Sequence, residues 1–385
     1  MMKNGKPESP LHDGPALTNM STKLFYHMNR YYQFFKVGDP GHYAFVLVST
    51  HSSMLWFPHV NCSSNACEHS ENFDPNESTS LVLSNERFKS VDTAANATGI
   101  LASDDIELYY DAESILIRNI TFGLALETQT NGDEYLYGLV GLGFENVQGT
   151  NTKPFIMELI DQGILEKPIF TIWLNPEAAP ETTGGYVTYG LEDDVNCGPI
   201  RAYEYFVHPY SYAFTVEYIE MKDLYIHIWS SAEMDLGPFL ILPETVAGAI
   251  AKMAQAQYDP GSSLYWIDCN AKFPDIKLGR VLLFYTIRAS DLIIKFSNDL
   301  CVLAVVERVT PSMGPMLIGA PFFYHYCVVF DIADKRLGIA EAKNPSTTIA
   351  PETTTITEEN TCKPLYSRFM SAMLLLSLTY CTILV

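Results

Sequence analysis

Two tripeptides carry the residues best able to do chemistry. Ser49-Thr50-His51 closes the apolar run AFVLV, and Asp235-Leu236-Gly237 closes IHIWSSAEM. Far downstream of each stands a pair of apolar residues followed by glycine: Leu139-Val140-Gly141 for the first, Leu317-Ile318-Gly319 for the second. A carboxyl such as that of Asp235 can serve as a general acid or base. Ser49 offers only a neutral hydroxyl, able to hold a water but unable to accept its proton near neutral or acidic pH. The repeat predicts a duplicated β lobe with one chemical turn in each half, and the cleft between such lobes is the natural binding site.

Other chemistries fail on spacing. His51 stands beside Ser52 and Ser53, but adjacent residues of an extended strand point to opposite faces. No Gly-x-Ser-x-Gly elbow or orienting acid accompanies them, so a serine nucleophile is not supported. Gly141 and Gly143 lack the third glycine of a dinucleotide loop. Cys62 and Cys67, followed by His69, have no second ligand pair at zinc spacing and read instead as a disulfide loop. Neither cofactor nor metal is expected.

The elements that must position these turns read as β. Most of residues 31–342 consists of short strands, among them DIELYYD, GGYVTYG, AFTVEYIEM and HYCVVFDI, broken by Gly, Pro, Asn and Asp. Two stretches have helical periodicity, PFIMELIDQGIL from Pro154 and PETVAGAIAKMAQAQ from Pro243. Their apolar stripes are core faces. The chain has 385 residues, 48% of them hydrophobic and 18% charged, enough for a large bilobal unit. A net charge of −21 excludes charge-driven binding to nucleic acid or to an anionic membrane. Sequons at Asn19, Asn61, Asn76, Asn96 and Asn119, together with eight well-spread cysteines, point to an oxidising secretory setting.

The ends read differently from the middle. Residues 1–30 contain no apolar run of signal-peptide length, so the start reads as truncated or misassigned. Residues 343–362 form a Ser/Thr/Pro-rich stalk that cannot bury a core, and 363–385 end in the uncharged run FMSAMLLLSLTYCTILV. An apolar tail after a polar spacer fits a glycosylphosphatidylinositol signal or a short membrane tether.

In this order, the segments resemble the pepsin-like aspartic peptidases (peptidase A1), over about residues 31–342 and most closely a nematode-type member. The family's Gly-Thr-Pro, strand, Asp-Thr-Gly-Ser-Ser-Asn-Leu-Trp-Val-Pro is matched here by Gly38-Asp39-Pro40, AFVLV, then Ser49 to Pro58 without a gap. FDPNEST, Thr98-Gly99-Ile100-Leu101 of the flap hairpin, YGLVGLGF and MLIGAPFFYHYCVVFD follow in the family's order. The resemblance implies an all-β, bilobal fold of two similar β-barrel lobes with a central cleft and a few short helices. It places the N-lobe at about 31–190 and the C-lobe at about 191–342, after an N-terminal extension of 1–30. It also implies disulfides Cys62–Cys67, Cys269–Cys301 and Cys197–Cys327.

The catalytic residues carry over only in part. The family sets one Asp from each lobe in the cleft to hold the attacking water, the pair sharing a proton because like charges that close cannot both ionise. Asp235 keeps the second position; Ser49 stands at the first. Thr50, Ser52 and Gly237 remain as turn residues. His51 replaces a glycine, where its side chain is expected to crowd backbone needing positive φ. Leu236 replaces a hydroxyl that reaches the other lobe, Pro238 and Phe239 replace the groups that orient the second Asp, and Asp92 falls where the flap Tyr belongs. Asp92 could bring a replacement carboxylate toward Asp235 if the flap folds over the cleft. The resemblance thus implies an aspartic-type endopeptidase homologue, and these changes a pseudoenzyme. Such a protein would be a monomer that retains peptide or protein binding in the cleft, secreted or held at the cell surface. An active endopeptidase working through Asp235 and a purely structural surface protein are the alternatives.

Overall fold

Alternating burial organises the chain into strands. In the computed structural model, residues 20–67, 72–110, 113–130, 137–145, 152–280, 282–296, 299–308 and 316–343 are described. Asn19, His69, Cys362, Cys381, the stalk beyond 343 and the apolar tail lie outside them. The first half contributes β1 (Met20–His27), β2 (Arg30–Val37), β3 (His42–Ser49), β4 (Leu55–Pro58), β5 (Val82–Ser90), β6 (Ala95–Tyr110), β7 (Glu113–Thr130), β8 (Leu139–Gly141), β9 (Ile169–Leu174) and β10 (Thr182–Tyr189). The second contributes β11 (Cys197–Tyr205), β12 (Ala213–Met221), β13 (Leu224–Met234), β14 (Leu240–Pro243), β15 (Gln257–Asp259), β16 (Leu264–Ile267), β17 (Ile276–Arg280) and β18 (Leu283–Ile287). It continues with β19 (Ile293–Lys295), β20 (Cys301–Leu303), β21 (Val305–Arg308), β22 (Met316–Ile318), β23 (Tyr326–Asp331) and β24 (Arg336–Ala342). The fold is mainly β with two related halves, as the sequence implies.

The duplication is visible in strand order. β3-β8-β4-β7 in the large sheet and β13-β22-β14-β21 in the seven-stranded sheet are the same arrangement. In each, the strand bearing the chemical turn runs parallel to the apolar-apolar-Gly strand: Ser49 opposite Gly141, and Met234 opposite Ile318. Both glycines are required by close backbone approach. A Cβ at Gly141 would lie 2.3 Å from the Ser52 carbonyl oxygen, and one at Gly319 would lie 2.3 Å from that of Phe239.

The large sheet also binds the halves together. Its order runs β11-β24-β23-β9-β10-β1-β2-β3-β8-β4-β7-β6-β5, with β2 pairing β6 to close a ring. Strands from the end of the chain therefore continue the sheet of the first half, Val328 opposite Ile172 and Phe330 opposite Phe170. The Phe170 and Phe330 rings stack with centroids 4.5 Å apart. β1 begins at Met20 and lies between β10 and β2. The extension expected over 1–30 is correspondingly shorter, because residues 20–27 are built into the sheet.

Both expected helices form. α1 (Phe155–Asp161) starts after Pro154, buries Phe155, Ile156 and Leu159, and gives way to Gly163 at φ +69. α2 (Glu244–Ala254) starts after Pro243 and buries Val246, Ala247, Ile250, Ala251 and Ala254; a short α3 (Ala320–Phe323) follows β22. Disulfides join Cys62 to Cys67, Cys197 to Cys327 and Cys269 to Cys301, a set that fits the secretory pathway.

The two kinds of glycine predict opposite outcomes. Gly319→Ala should destabilise by about 1–3 kcal/mol through overpacking. Gly248→Ala, inside α2 with its nearest contact 3.7 Å away at the Tyr265 hydroxyl, should stabilise by about 0.4–1 kcal/mol. Denaturant unfolding of the two variants checks the signs.

Candidate active site

The strand tips bring the two chemical turns face to face. Thr50 Oγ1 donates to the Met234 carbonyl at 2.7 Å, tying the first turn to the strand that delivers Asp235. The reciprocal bond has no donor, because position 236 is a leucine buried in the core. A second tie crosses instead: His51 Nδ1 lies 2.8 Å from Glu233 Oε2. His51 is not among the described residues of positive φ. The crowding expected there does not arise; the backbone stays in an ordinary region and the ring reaches toward the other half.

Ser49 is a saturated hydroxyl. Its Oγ accepts from the amides of His51 (3.1 Å) and Ser52 (3.2 Å), filling both lone pairs, and donates its proton to Asp92 Oδ2 at 2.6 Å. Asp235 is served more sparsely. Its Oδ2 accepts from the Gly237 amide at 3.0 Å, and the next residue, Pro238, has no N–H to give. A Cβ at Gly237 would stand 2.6 Å from that oxygen and 3.4 Å from Arg30 Nη1, so glycine leaves the carboxyl its room. Ser52 Oγ accepts from the Met54 amide, a contact internal to the turn.

Asp92 arrives from the tip between β5 and β6. Its Oδ1 accepts from the Ala94 amide at 2.9 Å, while its own amide donates to Asn96 Oδ1 at 3.2 Å. Thr93 Oγ1 lies between the carboxyls, 3.4 Å from Asp92 Oδ1 and 3.5 Å from Asp235 Oδ1. Asp92 and Asp235 are each only 5% exposed. Burial pushes the Asp235 carboxyl above its ordinary value and the Asp92 charge adds to this, against the opposing pull of Arg30, His51 and the Gly237 amide.

Thr93, Glu233 and Arg30 were not singled out from the sequence. Glu233 had a signal: strand alternation places it on the same side as Asp235, two residues on. Arg30 and Thr93 had none. Of the sequon asparagines, Asn61, Asn76 and Asn119 are exposed and Asn96 is half-buried in the hairpin. No group of three or more potential metal ligands occurs among the described residues.

The His51–Glu233 tie should be read out by pH. Burial would lower the His51 pKa, but the hydrogen bond and charge of Glu233, with Asp92 and Asp235 adding, raise it from 6.5 to about 9. Burial pushes Glu233 up, yet the hydrogen bond and charge of His51 hold it below its ordinary value. The raised histidine stabilises fully below its unfolded pKa and loses this as pH climbs toward 9. The depressed carboxylate stabilises above its unfolded pKa and loses this as pH falls through the folded value. The Tm deficit of His51→Gln should therefore be largest near about pH 5–6.5 and shrink toward about pH 10. A deficit constant across that span would argue against the tie.

Comparison with known proteins places this geometry. The profile of the eukaryotic aspartyl proteases matches residues 30–342. Aspartic protease 6 of Caenorhabditis elegans is 30% identical over 311 residues, covering 79% of each chain. Aspartic protease 2 of Necator americanus is 28% identical over 73% of this chain and 67% of its own, and pepsin A of Gallus gallus 25% over 80% and 83%. With its duplicated strand order and facing turns, the chain belongs to the pepsin-like aspartyl protease family.

Proposed function

We propose that this family member takes peptide or protein into the cleft between its halves and hydrolyses it poorly or not at all. One observation carries the reading: the position in the first turn that corresponds to Asp235 holds Ser49, a hydroxyl with both lone pairs and its proton committed. Hydrolysis by a carboxyl pair needs one member to take a proton from water and the other to give one. Removing a general acid or base typically lowers the rate about 10²–10⁴-fold. Leu236 and Pro238 remove orienting groups besides. The strand tips, the glycines behind them and the Thr50–Met234 bond support a retained cleft. The sequons and apolar tail support a setting outside the cell or on its surface.

A second, hydrolytic reading rests on Asp92, which brings another buried carboxyl near Asp235. It meets a steric objection. Asp92 sits on the hairpin tip, directly on Ser49, so a peptide laid across the two turns must displace it.

The full chain, expressed in a secretory host, should show no measurable cleavage of denatured globin or a fluorogenic peptide between about pH 3 and 7, at least about 10²-fold below an active relative. Ser49→Asp alone should restore little, since it also sets a third carboxyl against Asp92 and Asp235. Pepstatin-sensitive turnover abolished by Asp235→Asn would establish the hydrolytic reading instead.

A further inference from the structure

We propose that the β5–β6 hairpin is latched shut by its own tip, Asp92 seated on Ser49, and that the cleft accepts a peptide only when this contact breaks. The proposal rests on the peptide-cleft reading above and adds its regulation.

Hairpin tips are ordinarily exposed and mobile; this one exposes Val91 but buries Asp92 and Ala94. Ala94, Ala95 and Ala97 are no more than 3% exposed and pack in one apolar cluster with Leu47, Trp56 and Leu139. The tip is also pre-shaped to present a carboxylate. The Ala94 amide and Asn96 side chain fix Asp92 within its own loop before any contact with the floor. On the floor, the His51 and Ser52 amides occupy both lone pairs of Ser49 Oγ and so direct its one proton outward. A short hydroxyl–carboxylate bond results, 2.6 Å long.

The two substituted positions are complementary. An Asp at 49 would repel Asp92, and a Tyr at 92 would offer a serine hydroxyl only a neutral phenol. Serine below and aspartate above make a charge-assisted bond that neither makes with the ordinary partner.

The closed state also carries opposing terms, which make it releasable. The carboxyls of Asp92 and Asp235 face each other across Thr93, offset by the positive charges of His51 and Arg30. The indole N–H of Trp56, fully buried in the cluster under the tip, has no hydrogen-bond partner. An unmade bond of that kind favours any state in which water or a ligand carbonyl can supply the acceptor. A latch of one charge-assisted bond set against these terms gives two accessible states, and the open fraction scales the apparent affinity of any cleft ligand.

The test compares the full-length protein with Ser49→Ala and Asp92→Ala, each checked for folding by circular dichroism. Two quantities are read: amide hydrogen exchange at residues 91–97 without ligand, and affinity for pepstatin. Ser49→Ala is the sharper variant, because it leaves the Asp92–Ala94 turn intact. Loss of the latch should speed exchange at the tip about tenfold or more in both variants and tighten pepstatin binding by a comparable factor. Unchanged exchange in Ser49→Ala overturns the latch, as does faster exchange with pepstatin affinity equal to that of the parent protein. Faster exchange with no pepstatin binding by any of the three proteins supports the latch and removes the peptide-cleft reading on which its regulatory meaning depends.

Discussion

Everything at the centre of this molecule depends on two places where one backbone passes almost through another. Gly141 lies under the Ser49 turn and Gly319 under the Asp235 turn, each so close to a carbonyl oxygen that a methyl group would not fit. The parallel strands they end fix the depth and direction of both turns. Because this constraint acts on backbone alone, it is indifferent to which side chain stands on the turn. The scaffold for a pair of carboxyls therefore persists around a serine.

That indifference explains how the site can change while the fold does not. Each turn has donors aimed at one side chain: two amides at Ser49 and one at Asp235, where Pro238 withholds the second. Under Ser49 these donors, which would suit a carboxylate, fill a hydroxyl's lone pairs and aim its proton. Across the cleft, the Thr50 bond to Met234 remains on one side and the His51–Glu233 ion pair stands where Leu236 leaves nothing to donate. The halves are still cross-tied, by groups of different chemistry and with a different dependence on pH.

Much of this was legible in the sequence, and the parts that were not share a reason. The strand-tip tripeptides, their distant apolar-apolar-Gly partners and both proline-started helices are short-range patterns, and each appears where its pattern places it. β1 was missed because MSTKLFYH has neither Val nor Ile and places Ser21, Thr22 and Lys23 in a row, although it lies well inside the large sheet. The side chain at 51 was expected to strain its turn, but the backbone there needs no positive φ. Counting back from Thr98 located Asp92 on the hairpin, but the depth to which the tip sinks depends on a hydroxyl 43 residues away. Arg30 beside Gly237 and Thr93 between the carboxyls are likewise facts of the assembled cleft, invisible to any local period.

The sheet order also has a consequence for the timing of synthesis. β9 takes its second neighbour, β23, from residues 326–331, and β24 and β11 continue the same sheet beyond it. As the chain leaves the ribosome, the first half can close its own ring through β2 and β6, yet β9 keeps the buried edge of residues 169–172 unpaired until β23 emerges. An apolar edge of that kind is a template for pairing with another chain. While the segment between β10 and β23 is still being made, the first half is nearly complete and the edge of β9 waits uncovered.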